Sequence, residues 1–289
     1  MSVDFLHDRI RKLKNPTVLD FDMKPEHIPK SILSEEISFL NAYQRYCTEL
    51  MESLKNTIPA VRFSFNTFAL EGPDGLYALK VLLETAGELG FYVLLDSPEI
   101  LSPWGAERVA QTIFGKGAFP CDGLIISPYI GSDSVKPFVN YAKDNQKDVF
   151  LLVHSPNKSS FDLQDLLTGS RHVYDAVADI ANRFGESLYG KCGYSYIGGV
   201  ASATNGLQLQ TLRVKHNRMF LIVDGVDYPS GNFKNCSMGF DRFGYGCVLC
   251  AGPSITAAWS EDPEHTYLES AIASAEKIKK NISRYVTIL

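Results

Sequence analysis

No apolar run in the chain reaches the roughly 18 residues that a membrane helix needs, so no membrane partner is expected. No block of like charge occurs, and the net charge is −5. Nucleic acid and anionic membranes are therefore given no electrostatic hold. The N-terminal stretch MSVDFLHDRIRKLKN lacks the apolar core of a secretory signal. Its apolar positions, Phe5, Leu6, Ile10 and Leu13, predict a short amphipathic helix instead. Internal repeats, low-complexity tracts and linkers are also missing, as is a serine or cysteine nucleophile motif. Six cysteines occur, with a single C-x-x-C, Cys247 and Cys250, inside the apolar stretch GYGCVLCAG. No second pair and no clustered histidine completes a zinc site, so two core thiols on a strand are expected. That usage suggests a reduced cytoplasm.

What is present is an alternation. Short apolar, β-branched runs stand at 17–23, 60–66, 92–98, 123–129, 148–155, 197–203, 219–225 and 246–252. Helical patterns lie between most of them. The stretch 34–56 reads as a helix capped by Ser34, and 73–90 starts with proline and ends with glycine. Further helices are predicted at 133–145, 170–188 and 261–283, whereas 232–244 reads as a loop. Near-continuous apolar strands covered by helices indicate a parallel sheet. Eight such units predict a closed (β/α)₈ barrel of the TIM type, an α/β fold with residues 1–289 as a single domain. A doubly wound sheet usually has a glycine-rich first turn, and DMKPEHIP has no glycine.

In such a barrel the site forms where strands end. Those ends carry Asp20 and Asp22, Arg62, Ser64 and Asn66, Asp96, Ser127, His154 and Ser155, Ser202 and Thr204, and Asp224. Alternation puts Asp20 and Asp22 on one face, and Arg62, Ser64 and Asn66 on another. If these faces point inward, a buried arginine meets several carboxylates and ion pairing is expected. The arrangement reads equally as a structural polar plug and as a site. His154 is a candidate base, but with no nucleophile beside it a satisfied core histidine is the plainer reading.

The segments ISPYIGSDSVKPFVNYAK (126–143), VFLLVHSPN (149–157), GKCGYSYIGGV (190–200) and FDMKPEHIP (21–29) resemble the longer bacterial orotidine 5′-phosphate decarboxylases. The similarity runs from about Asp4 to Ile282. The resemblance implies a cofactor-free barrel that removes CO₂ from a pyrimidine nucleotide, so no cofactor or metal is expected. Such enzymes use an alternating Lys–Asp–Lys–Asp array: one carboxylate crowds the substrate, and a lysine stabilises and protonates the ring carbanion. By that resemblance the opening aspartate is Asp22, with Asp20 where the family keeps glycine. The first array lysine falls on Arg62, with Ser64 for a glutamine. The central motif falls on 96–101: Asp96 is kept, the proton-donating lysine is Pro98, and the aspartate lent across a dimer interface is Leu101. The phosphate grip is altered to DGVDYPS (224–230) and CAGPS (250–254), with Pro253 for the phosphate-binding arginine. Ser127 and Ser155 remain from the pyrimidine side.

Three functions follow. The first is a non-catalytic binding or regulatory homologue, a homodimer or a heterodimer with a true decarboxylase. It would take a small-molecule ligand at the C-terminal barrel mouth through Asp20, Asp22, Ser127, His154 and Ser155, beside the remnants Arg62 and Asp96. Acids in the former grip loop point to a cationic or neutral ligand, or to an internal pair with lysine or arginine. The second is an active decarboxylase, for which Arg62 is a poor proton donor because guanidinium does not deprotonate at working pH. The third is a different enzyme using Asp22, Asp96, Arg62 and His154, with Asp20, Asp22 and Asp96 able to hold Mg²⁺ through oxygen.

Overall fold

Eight parallel strands close into a barrel in the computed structural model, which describes residues 2–22, 24–97, 99 and 101–289. The strands are β1 (Thr17–Asp20), β2 (Ala60–Ser64), β3 (Tyr92–Asp96), β4 (Gly123–Ile126), β5 (Asp148–Leu152), β6 (Ile197–Ser202), β7 (Leu221–Asp224) and β8 (Cys247–Ala251). Each pairs with its sequence neighbour, and β8 closes on β1 with Thr17 beside Leu249. All eight predicted runs contain a strand, each shorter than its run. Outside the barrel, Leu167–Thr168 and Arg171–His172 form a small antiparallel hairpin.

Period-two alternation divides the strand side chains between two cores. Val18, Ala60, Tyr92, Leu94, Ile125, Phe150, Val200, Ile222 and Val248 fill the barrel interior. Leu19, Val61, Phe63, Val93, Leu95, Leu124, Leu151, Val223 and Leu249 meet the surrounding helices. Cys247 and Cys250 are three apart on β8 and therefore point to opposite faces, one into each core. The C-x-x-C does not form a facing pair, and both thiols are free and buried.

The helix Ser2–Leu13 forms as its sequence predicts. Its Val3, Leu6 and Ile10 pack into the barrel interior with Tyr194, Tyr196 and Tyr245, so it closes the N-terminal end. The predicted helix at 34–56 is divided. Lys30–Glu35 is a separate short helix, and the long one is Phe39–Leu54. Its N-cap is Ser38, which accepts from the Asn41 amide at 3.2 Å, and Ser34 lies inside the preceding turn. Both serines precede a usable helical stripe; the burial of Ala42, Tyr43, Tyr46 and Cys47 settles which one starts it.

The helices at Gly72–Glu88, Ser132–Asn145, Val173–Gly185 and Tyr267–Ile282 lie within a few residues of their predicted spans. The stretch 232–244 does contain one short helix, Phe233–Ser237, where Asn232 caps the Asn235 amide. A helix at Gly206–Lys215 has no clear apolar stripe because two of its buried positions are Gln208 and Arg213. Arg213 donates to the carbonyls of Gly239, Met219 and Gly246 at 2.7, 2.8 and 2.6 Å. It is a structural arginine that binds backbone, which polarity-based reading misses.

Candidate functional site at the barrel mouth

Arg62 is the centre of the C-terminal mouth. It is 8 % exposed, and its register partner across β1 and β2 is Asp20. Its Nε and Nη2 donate to the two Asp20 oxygens at 2.9 and 2.6 Å. Nη1 reaches across the barrel to β7 and donates to both Asp224 oxygens at 2.7 and 2.9 Å. Burial alone would lower the guanidinium pKa, but Asp20 and Asp224 outweigh it and hold the group firmly charged. A fixed planar fork suits this two-sided grip, which the point charge of a lysine would not reproduce. The expected ion pairing is present, and the second partner is Asp224.

Asp96 ends β3 beside Ser64 of β2. It makes no hydrogen bond or ion pair among the described residues. Burial raises its pKa to about 7, against the favourable pull of Arg62, and the nearby Asp224, Asp20 and Asp22 push it up further. The mouth thus holds one carboxylate whose charge changes near neutral pH.

Asp20, Asp22, Arg62, Asp96 and Asp224 line a single cavity of about 390 Å³. Lys24, His27, Asp227, Tyr228, Cys250 and Pro253 complete its wall. Asp22 itself is exposed and accepts from the Thr67 hydroxyl at 3.0 Å. On the side of β7 and β8, the Asp227 carboxylate accepts the Gly252 amide at 2.8 Å, and Pro253 next to it has no amide hydrogen. Gly225 sits at φ +90°, and a Cβ there would lie 2.7 Å from Pro156, so this turn requires glycine.

Three expected residues do not line the cavity. Ser127 meets only its own turn, where the Tyr129 amide lies 3.5 Å from its hydroxyl. The Ser155 hydroxyl is tied to Asn157 at 2.6 Å and to Gln164. His154 is 4 % exposed, with Nε2 3.2 Å from Asp165 and its ring edge-on to Tyr174. Burial lowers its pKa in spite of Asp165, as for a packed histidine. Asn66, expected on the face of Arg62, lies in the short helix Phe65–Ala69 and faces a different cavity. Pro98, where the resemblance puts the proton-donating lysine, lies outside the described residues.

Comparison with known proteins places the architecture. No protein-family model matches the chain. The orotidine 5′-phosphate decarboxylase of Clostridium novyi is 27 % identical over 286 residues, covering 98 % of both chains. That of Rhodopirellula baltica is 27 % identical, covering 98 % of this chain and 95 % of its own. The chain is similar along its whole length to curated orotidine 5′-phosphate decarboxylases. The Leishmania donovani OMP decarboxylase structure superposes with a TM-score of 0.78 at 23 % identity, covering 99 % of both chains. The Plasmodium berghei orotidine 5′-monophosphate decarboxylase gives 0.81 at 16 %, covering 98 % of both. These structural likenesses support the barrel and its closure.

Asp224 was expected at a strand end, and of the two alternatives for the acids of 224–230 the structure gives it the internal pair, with Arg62. Two features were missed by residue-level reading. Cys250 lines the mouth because it faces inward, and burial raises its thiol pKa well above the ordinary value. Lys24 and His27 lie in the first turn, where proline and charge gave no period to read. Among the described residues, no three His, Cys, Asp or Glu side chains are grouped to hold a metal ion. Asp20, one of three carboxylates considered for Mg²⁺, is occupied by Arg62. The described residues also include no helix long and apolar enough to cross a membrane.

Proposed function

We propose that this homologue binds a small cationic or neutral molecule at the barrel mouth and does not decarboxylate orotidine monophosphate. The observation that carries this reading is the commitment of Arg62. Its donors are used on Asp20 and Asp224, so it cannot turn to a substrate without leaving two carboxylates unpaired. Decarboxylation requires a cation that stabilises a ring carbanion and then gives it a proton. A guanidinium at any working pH keeps its proton.

The electrostatics point the same way. Carboxylates outnumber cations around the cavity, and Asp96 has no hydrogen-bond or ion-pair partner among the described residues. A nucleotide monophosphate with a ring carboxylate would meet like charge at close range. Asp227 already fills the Gly252 amide, a donor that a phosphate would otherwise compete for. An ammonium or amidinium placed against Asp96 would meet the opposite condition, a carboxylate short of a counter-charge.

A second reading, retained decarboxylation, draws on Lys24, whose side chain helps line the same cavity. The test separates the two. The full chain is incubated with orotidine monophosphate and loss of absorbance is followed. No turnover is expected; a rate within about a hundredfold of an ordinary decarboxylase overturns the proposal. Loss of that rate in Lys24→Ala would then assign the proton donor. Thermal shift with putrescine, uridine monophosphate and Mg²⁺ follows, since any ligand of the folded form raises the melting temperature. Putrescine is expected to stabilise and uridine monophosphate is not. Pairing with itself or with a genuine decarboxylase belongs to the same reading, and co-expression followed by size analysis tests it.

A further inference from the structure

The barrel mouth has an inner and an outer level, and they offer a ligand different things. The inner level is the strand ends. There Arg62 is taken up by Asp20 and Asp224, and Asp96 has no hydrogen-bond or ion-pair partner among the described residues. That level offers a carboxylate to an ammonium. The outer level is the turn after β1, whose Lys24 and His27 line the same cavity.

His27 is held at three points. Its amide donates to the Lys24 carbonyl at 2.9 Å, its carbonyl accepts from the Trp259 indole at 2.9 Å, and its ring Nδ1 lies 3.2 Å from the Lys24 amide. A backbone amide can only donate, so Nδ1 is the acceptor and carries no proton. The proton of this neutral imidazole is therefore on Nε2, which has no hydrogen-bond partner among the described residues. Burial lowers the pKa of the ring and supports the same form. The outer level thus presents a fixed N–H donor to the cavity.

The charges around that donor restrict what can meet it. Lys24 opposes a second cation, and the carboxylates of Asp22 and Asp227, which line the cavity too, oppose an anion. A neutral oxygen meets neither objection. A hydroxyl suits the place further, because it accepts from the imidazole and can donate to a carboxylate in the same contact.

We infer that the mouth takes an amino alcohol, with its ammonium against Asp96 and its hydroxyl oxygen on His27 Nε2, and that His27 is the residue that selects for the hydroxyl. The inference rests on the proposal that the mouth binds a small cation, and adds the second functional group of that ligand.

The test is calorimetric titration of the full chain at about pH 8 with butylamine, 4-amino-1-butanol, putrescine and 4-aminobutyrate. All four share one ammonium on a four-carbon chain and differ only at the far end. The amino alcohol is expected to bind about fivefold more tightly than butylamine, the ratio that one net hydrogen bond gives. It should also bind more tightly than putrescine and 4-aminobutyrate. His27→Phe keeps a ring and removes the donor, so 4-amino-1-butanol should fall to the affinity of butylamine. His27→Gln places an amide N–H near the position of Nε2 and should recover part of the ratio. Should His27→Phe fold poorly, the four-ligand comparison in the wild-type chain needs no variant. Asp96→Asn should weaken the amino alcohol and butylamine alike, by about tenfold or more. Equal affinity of butylamine and 4-amino-1-butanol, or tighter binding of either doubly charged ligand, overturns the inference and leaves the cation reading standing. If no amine saturates by about 10 mM, the cation reading falls and the inference falls with it.

Discussion

The two ends of the barrel hold acidic side chains inside the same shell and neutralise them by opposite means. At the lower end, Asp148 opens β5 with no exposure to solvent, and the Tyr92 hydroxyl donates to it at 2.5 Å. Burial raises its pKa well above the ordinary range, which favours the protonated form. At the upper end, Asp20 and Asp224 are answered by a guanidinium. The lower end is sealed by the N-terminal helix. The upper end opens to a cavity, and Asp96 there makes no hydrogen bond or ion pair among the described residues. The contrast is between a closed end and an open one lined by carboxylates.

The most severe way to break this comparison is Arg62→Leu. It leaves two carboxylates facing each other without a counter-ion, and a loss of about 3–5 kcal/mol is expected by urea denaturation. Adding Asp20→Asn and Asp224→Asn to the same chain should restore most of that loss. If the triple variant is no more stable than the single one, the cluster is held by something other than its charge balance.

An effect of opposite sign, present only at the higher pH, is expected from Asp96→Asn. The folded pKa of about 7 lies above the ordinary 3.8, so the folded state binds the proton more tightly. Stability from this group is complete below about pH 4 and is lost as pH rises through about 7. The variant should therefore be more stable than wild type by up to about 4 kcal/mol at pH 8 and unchanged below about pH 3. It should also lose putrescine binding, which in wild type should strengthen as pH rises through about 7. A pH-independent difference between the two proteins would show that Asp96 is not the titrating group.

The lower end should respond least. Burial disfavours the charged form of Asp148, so Asp148→Asn is expected to change stability by less than about 1 kcal/mol near neutral pH. Tyr92→Phe removes one buried hydrogen bond and should cost about 1 kcal/mol. If Asp148→Asn proved as damaging as Arg62→Leu, the distinction between the two ends would collapse.

Much of this was legible in the chain. The eight apolar runs carried the barrel, because a strand buried on both faces must be apolar almost throughout. The N-terminal helix showed its stripe, and the ion pairing of Arg62 followed from putting a guanidinium on an inward face. Other features left weaker marks. Ser34 and Ser38 both fit a cap, and only packing chose between them. The helix Gly206–Lys215 was obscured by a buried arginine that binds carbonyls. His154 resembled a base until Asp165 and Tyr174 closed around it.

The sequence alone determined the period and the chemistry: alternating strands and helices, a charged residue at several strand ends, and proline and leucine in the stretch that resembles a decarboxylase motif. Only the tertiary structure decided which charges meet. Asp224 reaches Arg62 because closure of the barrel brings β2 and β7 to opposite sides of one narrow mouth, across a separation of 162 residues. Asp96 has no partner among the described residues, because the closer contacts with Asp20 and Asp224 take up the donors of Arg62. Partnership between distant charges depends on distances that exist only after the ring of strands has closed, and no local pattern encodes them.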